Sequence, residues 1–319
     1  MAVSLTEYAK SLDDRDLIWP QVSPPIAVRA TPAIQPLNDI RIVLWDVYGT
    51  LLRTTGGRFC LIPDPQVPLE IALEKTIHEF NMWNSMYRKP GPPWQSMINQ
   101  YTEYHNRLSM AATKRNGDLI DPDLVDIWEG IIARLFDKEY SYDEVFYGDI
   151  RQFSEKVAYF FHSNLQGVEA RSGAVQAMQD LHAIEISQGL LADGQSFTFT
   201  QLLRALSLQG TLPPLAGMFH PDAVLFSHEL GIRKPSRSLF ELTIERLKVA
   251  GFQPEEVLHI SCRVGTDLVP AKAVGMKTAL LAAEKTGLEA QTELLKDSAT
   301  RPDRLLTDLN QVATLFGIM

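Results

Sequence analysis

Arg41-Ile42-Val43-Leu44-Trp45-Asp46-Val47-Tyr48-Gly49-Thr50-Leu51-Leu52 is the stretch that decides the fold. Ile42 to Trp45 is an uncharged run rich in β-branched and aromatic side chains. Such a run reads as a strand buried on both faces, the usual state in a parallel sheet. It stops at Asp46, and Gly49 marks a turn shortly after. One carboxylate is therefore expected at the carboxyl end of a central strand, where open α/β sheets hold their ligands. Alone, such an Asp reads first as a cap for the next segment. Residues further down the chain change that reading.

The chain has 319 residues, enough for one large or two smaller domains. With 45% hydrophobic and 22% charged residues it has the balance of a globular protein. A formal net charge of −9 argues against a nucleic acid or an anionic membrane as partner. Cys60 and Cys262 are too few for a disulfide framework and fit a reducing cytoplasm. No apolar run approaches the roughly 18 residues of a membrane helix. The N-terminus carries Glu7, Asp13, Asp14 and Asp16 with no apolar stretch, so it does not read as a secretory signal. Nothing in the sequence fixes the oligomeric state.

Residues 1–39 read as a proline-rich arm. Pro20, Pro24, Pro25, Pro32 and Pro36 disfavour regular helix there, and Ile18, Trp19 and Val22 predict that the arm lies along the surface. After Leu52 the chain runs about 140 residues to the next strand-like signal near Ser187, too long for a bare connection. Helical spacing is visible over Leu69–Phe80, Trp94–Leu108, Leu124–Leu135 and Phe153–Phe161. Asp121 is the expected N-cap of the third, with Pro122 at its first position. Most of the aromatic and methionine stripes read as core packing. From about residue 165 strands and helices alternate. Helices are expected at Ser172–Leu181, Phe197–Leu206, Pro235–Val249 and Leu268–Val274. Strands are expected at Ile186–Ala192, Ala223–Ser227, Val257–Ser261 and Thr278–Ala282, with a last strand-helix pair over Arg304–Phe316. Such alternation implies right-handed crossovers and a parallel sheet.

Asp46-Val47-Tyr48-Gly49-Thr50-Leu51 resembles the first motif of the haloacid dehalogenase (HAD)-like hydrolase superfamily, and further motifs follow in the family's order. The resemblance covers roughly residues 40–316. It implies a doubly wound, Rossmann-like α/β core (40–55 and 166–319) with an all-helical cap (56–165) that closes over the site and selects substrate. It also implies that Asp46 is a nucleophile forming a covalent aspartyl intermediate that water hydrolyses, with Thr50 supporting its loop. Gly231-Ile232-Arg233-Lys234-Pro235 resembles the third motif. Lys234 would balance the charge of Asp46 and keep it ionised. Arg233 and Arg237 read as surface charges.

Two motifs depart from the family pattern. In the second, Ala192 replaces the phosphate-holding hydroxyl, and Asp193, an acceptor when ionised, stands beside Gly194. Backbone N–H groups at Asp193 and Gly194 are the donors left to a substrate there. In the fourth, Cys262 takes the place of the first Asp and Asp267 fills the second. Magnesium prefers hard oxygens, and a thiol is a poor substitute. Asp46, the Tyr48 carbonyl and Asp267, with Asp193 as a possible addition, are too thin a ligand set, so weak or no Mg2+ binding is expected, and no organic cofactor. Cys262 reads as a small buried hydrophobe.

Tyr48 stands where relatives carry a general acid. A neutral phenol suits a halide or another leaving group that needs no proton. That links Tyr48 to the dehalogenase branch, for whose carboxylate clamp Arg53, Arg58 and Arg88 are candidates. Two functions stay open: a HAD-like hydrolase, dehalogenase-like or phosphatase-like, using Asp46, Tyr48, Thr50, Lys234 and Asp267 on a small-molecule substrate; or a catalytically impaired relative that binds a ligand or a protein.

Overall fold

The computed structural model describes residues 2–86, 91–212 and 215–318. Its strands are, in chain order, β1 (Ile42–Trp45), β2 (Leu52–Thr54), β3 (Leu119–Ile120), β4 (Val168–Ala170), β5 (Ser187–Ala192), β6 (Val224–Phe226), β7 (Ile232–Arg233), β8 (Val257–Ser261), β9 (Lys277–Leu281) and β10 (Arg304–Leu306). Six of them form one parallel sheet in the order β10-β9-β8-β1-β5-β6. All four side chains of β1 are buried. Val43 and Trp45 join one apolar cluster, Ile42 and Leu44 another, so helices cover both faces of the sheet. The chain leaves β1 for β5 and β6 on one side, then returns to β8 on the other. The carboxyl end of β1 therefore opens into the crevice where strand order reverses, the ligand position of such sheets.

Between β1 and β5 the chain forms a helical cap. Its main helices are α2 (Val67–Glu79), α3 (Pro93–Ser109), α4 (Leu124–Phe136) and α6 (Ile150–Leu165), with the short α5 (Glu144–Tyr147) before the last. Leu73, Ile77, Tyr101, Trp128, Ile131, Phe153 and Phe161 close a core of the cap's own. An antiparallel β2–β4 ribbon joins cap to sheet. A second ribbon, β3–β7, lays a cap strand against the segment that leads into Lys234.

Several expected element ends move. The N-terminal arm contains a helix, α1 (Leu5–Ser11), closed by a capping box between Ser4 and Glu7 and lying well before the first proline. Beyond it the arm lies on the surface, with Trp19 against Phe160 and bridges at Ala27–Glu284 and Ala33–Leu305. The N-cap of α4 is Asp123, not Asp121: its side chain accepts from the Val125 N–H. The helix expected from Pro235 begins at Arg237. After β10 the chain makes two 3-10 turns, Leu309–Gln311 and Ala313–Phe316, rather than an α-helix. Among the described residues no helix is long and apolar enough to cross a membrane.

Candidate active site

Asp46 directly follows β1, and its backbone N–H continues the ladder onto the Ile260 carbonyl of β8 (3.0 Å). The turn behind it needs glycine: Gly49 has φ +94°, and a Cβ there would sit 2.4 Å from the Gly57 carbonyl oxygen. This turn brings Thr50 back so that its Oγ1 donates to Asp46 Oδ2 (2.9 Å). Lys234 arrives from β7, its backbone N–H held by Asp193 Oδ1 (2.9 Å). Its Nζ donates to Asp46 Oδ1 (2.9 Å) and to Asp267 Oδ2 (2.6 Å). Asp267 lies in the turn after β8, where Ser261 Oγ (2.8 Å) and Thr266 Oγ1 (2.7 Å) also donate to it. Asp46 and Thr50 from one stretch, with Lys234 and Asp267 from two others far along the sequence, thus form one buried cluster.

The central cation of that cluster is Arg263. All five of its N–H groups have acceptors. Nη2 reaches Asp46 Oδ2 (2.8 Å) and Asp267 Oδ2 (3.3 Å), Nε reaches Asp267 Oδ1 (3.2 Å), and Nη1 reaches the Tyr48 carbonyl (2.9 Å) and Cys262 Sγ (3.9 Å). Two carboxylates face two cations. Burial alone would raise the carboxyl of Asp267, but Arg263 and Lys234 hold it well below the usual range. Burial would likewise lower Lys234, and Asp267 and Asp46 more than compensate.

The remaining expected residues are placed differently. The Tyr48 hydroxyl donates to Gln201 Oε1 (2.7 Å) and shares a hydrogen bond with Thr198 Oγ1 (3.1 Å), both on the helix Thr198–Ser207. Its ring packs on Phe59, and burial pushes the pKa of the phenol further above neutrality. The phenol is therefore tied up among protein groups. Ala192 is buried at the end of β5 and the Gly194 N–H donates to Ser227 Oγ (2.9 Å), so that N–H is already occupied. Asp193 does face the adjoining cavity, and burial raises it to about 6 against the pull of Lys234. Cys262 is buried, its thiol pushed up to about 11 by that burial, which makes it inert at neutral pH.

A cavity of about 470 Å³ lies between cap and core. Core residues Asp193, Lys234, Arg263 and Thr266 form its floor, and cap residues Phe59, Leu61, His105, Ile120 and Asp121 its roof. Arg58 and Arg233 add positive charge to its lining. Of the two clamp candidates among the described residues, Arg58 lines it. Arg53 is buried in ion pairs with Glu284 and Glu169, and Arg88 lies outside the described residues.

Two residues of the site are ones that the sequence does not single out. Arg263 stands one turn before Asp267, and that i,i+4 pairing is the signal that could have found it. Asp121 has the pattern of a helix cap. Instead Ser227 Oγ donates to its Oδ2 (2.6 Å) across the cap–core boundary, and burial raises it to about 7.

Comparison with known proteins agrees with this architecture. Residues 231–312 match the HAD-hydrolase-like family. A glyceraldehyde 3-phosphate phosphatase of Methanocaldococcus jannaschii is 28% identical over 106 residues, 33% of this chain and 40% of that protein, so the match spans less than half of this curated relative. Among solved structures, a 2-haloacid dehalogenase from Pseudomonas syringae pv. Tomato DC3000 superposes with a TM-score of 0.52 at 17% identity, over 87% of this chain and 98% of that one. An L-2-haloacid dehalogenase from Xanthobacter autotrophicus with chloropropionic acid covalently bound is 19% identical, with a TM-score of 0.44 over 88% and 99% of the two chains. The family match falls on the third and fourth motifs, and the structural likeness lies in the parallel sheet with its helical cap. Over residues 231–312 the chain is similar to HAD-like hydrolases, and it shares the fold of the Pseudomonas syringae dehalogenase.

Proposed function

We propose that the protein is a HAD-like hydrolase in which Asp46 attacks a small anionic substrate held in the cap–core cavity. The observation that carries this reading is the Lys234 ammonium 2.9 Å from Asp46 Oδ1, at the carboxyl end of the central strand. Among the described residues Asp46 Oδ2 has two donors, Thr50 and Arg263, and Oδ1 has one, Lys234, so Oδ1 keeps the more available lone pair. Arg233 supplies positive charge for an anionic group of the substrate, as does Arg58, whose charge that group would share with Glu289 (3.6 Å) at the cavity edge.

The Tyr48 hydroxyl is engaged elsewhere and Ala192 offers no hydroxyl to a phosphate, so displacement at carbon with a good leaving group asks least of the site. A new bond joins Asp46 Oδ1 to that carbon, and the leaving group departs with the bonding electrons. Water then adds at Asp46 Cγ and the acyl C–O bond breaks. One water proton ends on the product hydroxyl. The other is released, with Asp193 on the cavity floor a carboxylate able to take it up. Replacing Asp46 by Asn should abolish turnover of 2-haloacids or phosphate esters while leaving a native circular dichroism spectrum, with a lowered melting temperature because Lys234 and Arg263 lose a buried counter-charge. Undiminished turnover in that variant ends the proposal.

A second reading, a ligand-binding relative without turnover, is favoured by one fact: Asp46 is 1% exposed and lies behind the cavity floor. Binding of haloacids or phosphate esters by calorimetry, with no product formed, would decide for it.

A further inference from the structure

The oxygens left to a divalent cation, on the resemblance drawn from the sequence, would be Asp46 Oδ2, the Tyr48 carbonyl and the carboxylate of Asp267. The guanidinium of Arg263 already bridges all three, at 2.8, 2.9 and 3.2 Å. Its side chain is 9% exposed. Asp267 is further saturated by Lys234, Ser261 and Thr266. Charge leaves no room either. Asp46 and Asp267 contribute two negative charges that Lys234 and Arg263 cancel, and a further carboxylate, Asp193, accepts from the Lys234 backbone N–H and brings a single charge against the two of a magnesium ion. A magnesium ion would bring two further positive charges into a buried site that is already balanced, and would demand six oxygens from a set whose lone pairs are occupied. The residues present therefore do not fit a metal ion.

We propose that Arg263 is a built-in replacement for the divalent cation, so that the centre is assembled and charge-balanced without metal. A planar fork suits this task. It spans two carboxylates and a carbonyl at fixed angles, which the point charge of a lysine cannot do. With no N–H left over, Arg263 is a positioning residue for Asp46 and not a contact for substrate. Cys262 and its neighbour Arg263 then belong together. Cys262 vacates one carboxylate, and its neighbour supplies the charge that the missing metal would have carried.

The proposal does not depend on turnover, so it is tested by binding. Mn2+ added to the full-length wild-type protein should show no bound ion by electron paramagnetic resonance, and Mg2+ should leave its melting temperature unchanged. One Mn2+ bound per chain and lost on Asp267→Asn would overturn the proposal, whatever the activity. Arg263→Ala should open a three-oxygen site beside a single cation. That variant should gain a Mg2+-dependent rise in melting temperature that grows with the logarithm of Mg2+ concentration. A folded Arg263→Ala protein as indifferent to Mg2+ as the wild type would also overturn it. If that variant fails to fold, the wild-type Mn2+ titration still decides between a metal-free centre and a metal site. An inactive protein that binds no Mn2+ would refute the hydrolase reading and leave this one standing.

Discussion

Single side chains in this molecule act through the charges they face. Glu284 shows it outside the site. It accepts from Arg53 Nη2 (2.9 Å) and Arg171 Nη2 (2.8 Å), with all three side chains under 10% exposed. Arg171 in turn donates to the carbonyls of Gly49 (2.7 Å) and Thr50 (2.8 Å), so the pair braces the turn behind Asp46. Burial works to raise the carboxyl of Glu284, and the two guanidiniums outweigh it. A depressed carboxyl contributes stability above its unfolded value near 4.3, and that contribution is lost as pH falls through the lower folded value. Glu284→Gln leaves the buried Arg171 guanidinium without its counter-charge and Arg53 with Glu169 alone. It should cost about 3 kcal/mol or more, read as a lowered urea midpoint at pH 7, with the gap to wild type closing below about pH 4. None of this is legible in the sequence, because Arg53, Arg171 and Glu284 meet only through the fold. Asp46 and Lys234 are legible because each sits in a patterned stretch, a strand end and a Gly-x-x-Lys-Pro run. Arg263 is not, because a position-by-position reading scores what is missing at Cys262 and passes over what its neighbour adds.

At the scale of elements, periodicity locates the strands and cap helices well, and the errors gather at ends. Asp121-Pro122-Asp123 offers two capping side chains around one proline, and local pattern cannot choose between them. Tertiary contact chooses. Asp121 is drawn to Ser227 of the core, which leaves Asp123 to accept from the Val125 N–H at 2.8 Å. Asp123→Ala should therefore cost about 1 kcal/mol of α4 stability, measured as faster amide exchange in its first turn. If exchange there is unchanged, Asp123 is not the cap. The helix Leu5–Ser11 is easily overlooked for a similar reason. Ser4-Leu5-Thr6-Glu7 carries the capping-box signature, but the prolines from Pro20 onward dominate the composition of the arm and mask a short helix ahead of them.

Cap and core are joined at the site itself, and this gives the whole molecule a pH dependence. The β3 strand of the cap pairs with β7, placing Leu119 opposite Arg233 and Ile120 opposite Ile232, immediately before Lys234. The next residue, Asp121, donates its N–H to the Gly231 carbonyl (3.1 Å) and accepts from Ser227 Oγ (2.6 Å). One short strap of cap thus fixes the approach of the lysine that faces Asp46. Burial raises Asp121 to about 7, and the nearby Asp193 adds to that rise. Since the folded value lies above the unfolded value of about 3.9, the stability linked to Asp121 is complete below about pH 4 and is lost as pH climbs through about 7. The loss is at most about 4 kcal/mol, three units at roughly 1.4 kcal/mol each. Asp121→Asn keeps an acceptor for Ser227 and removes the titration. The wild type should therefore lose thermal stability between pH 5 and pH 8 relative to Asp121→Asn, with the variant the more stable of the two at pH 8. Parallel profiles for the two proteins across that range would mean that the strap is held by backbone pairing alone and that Asp121 carries no charge cost at the cap–core boundary.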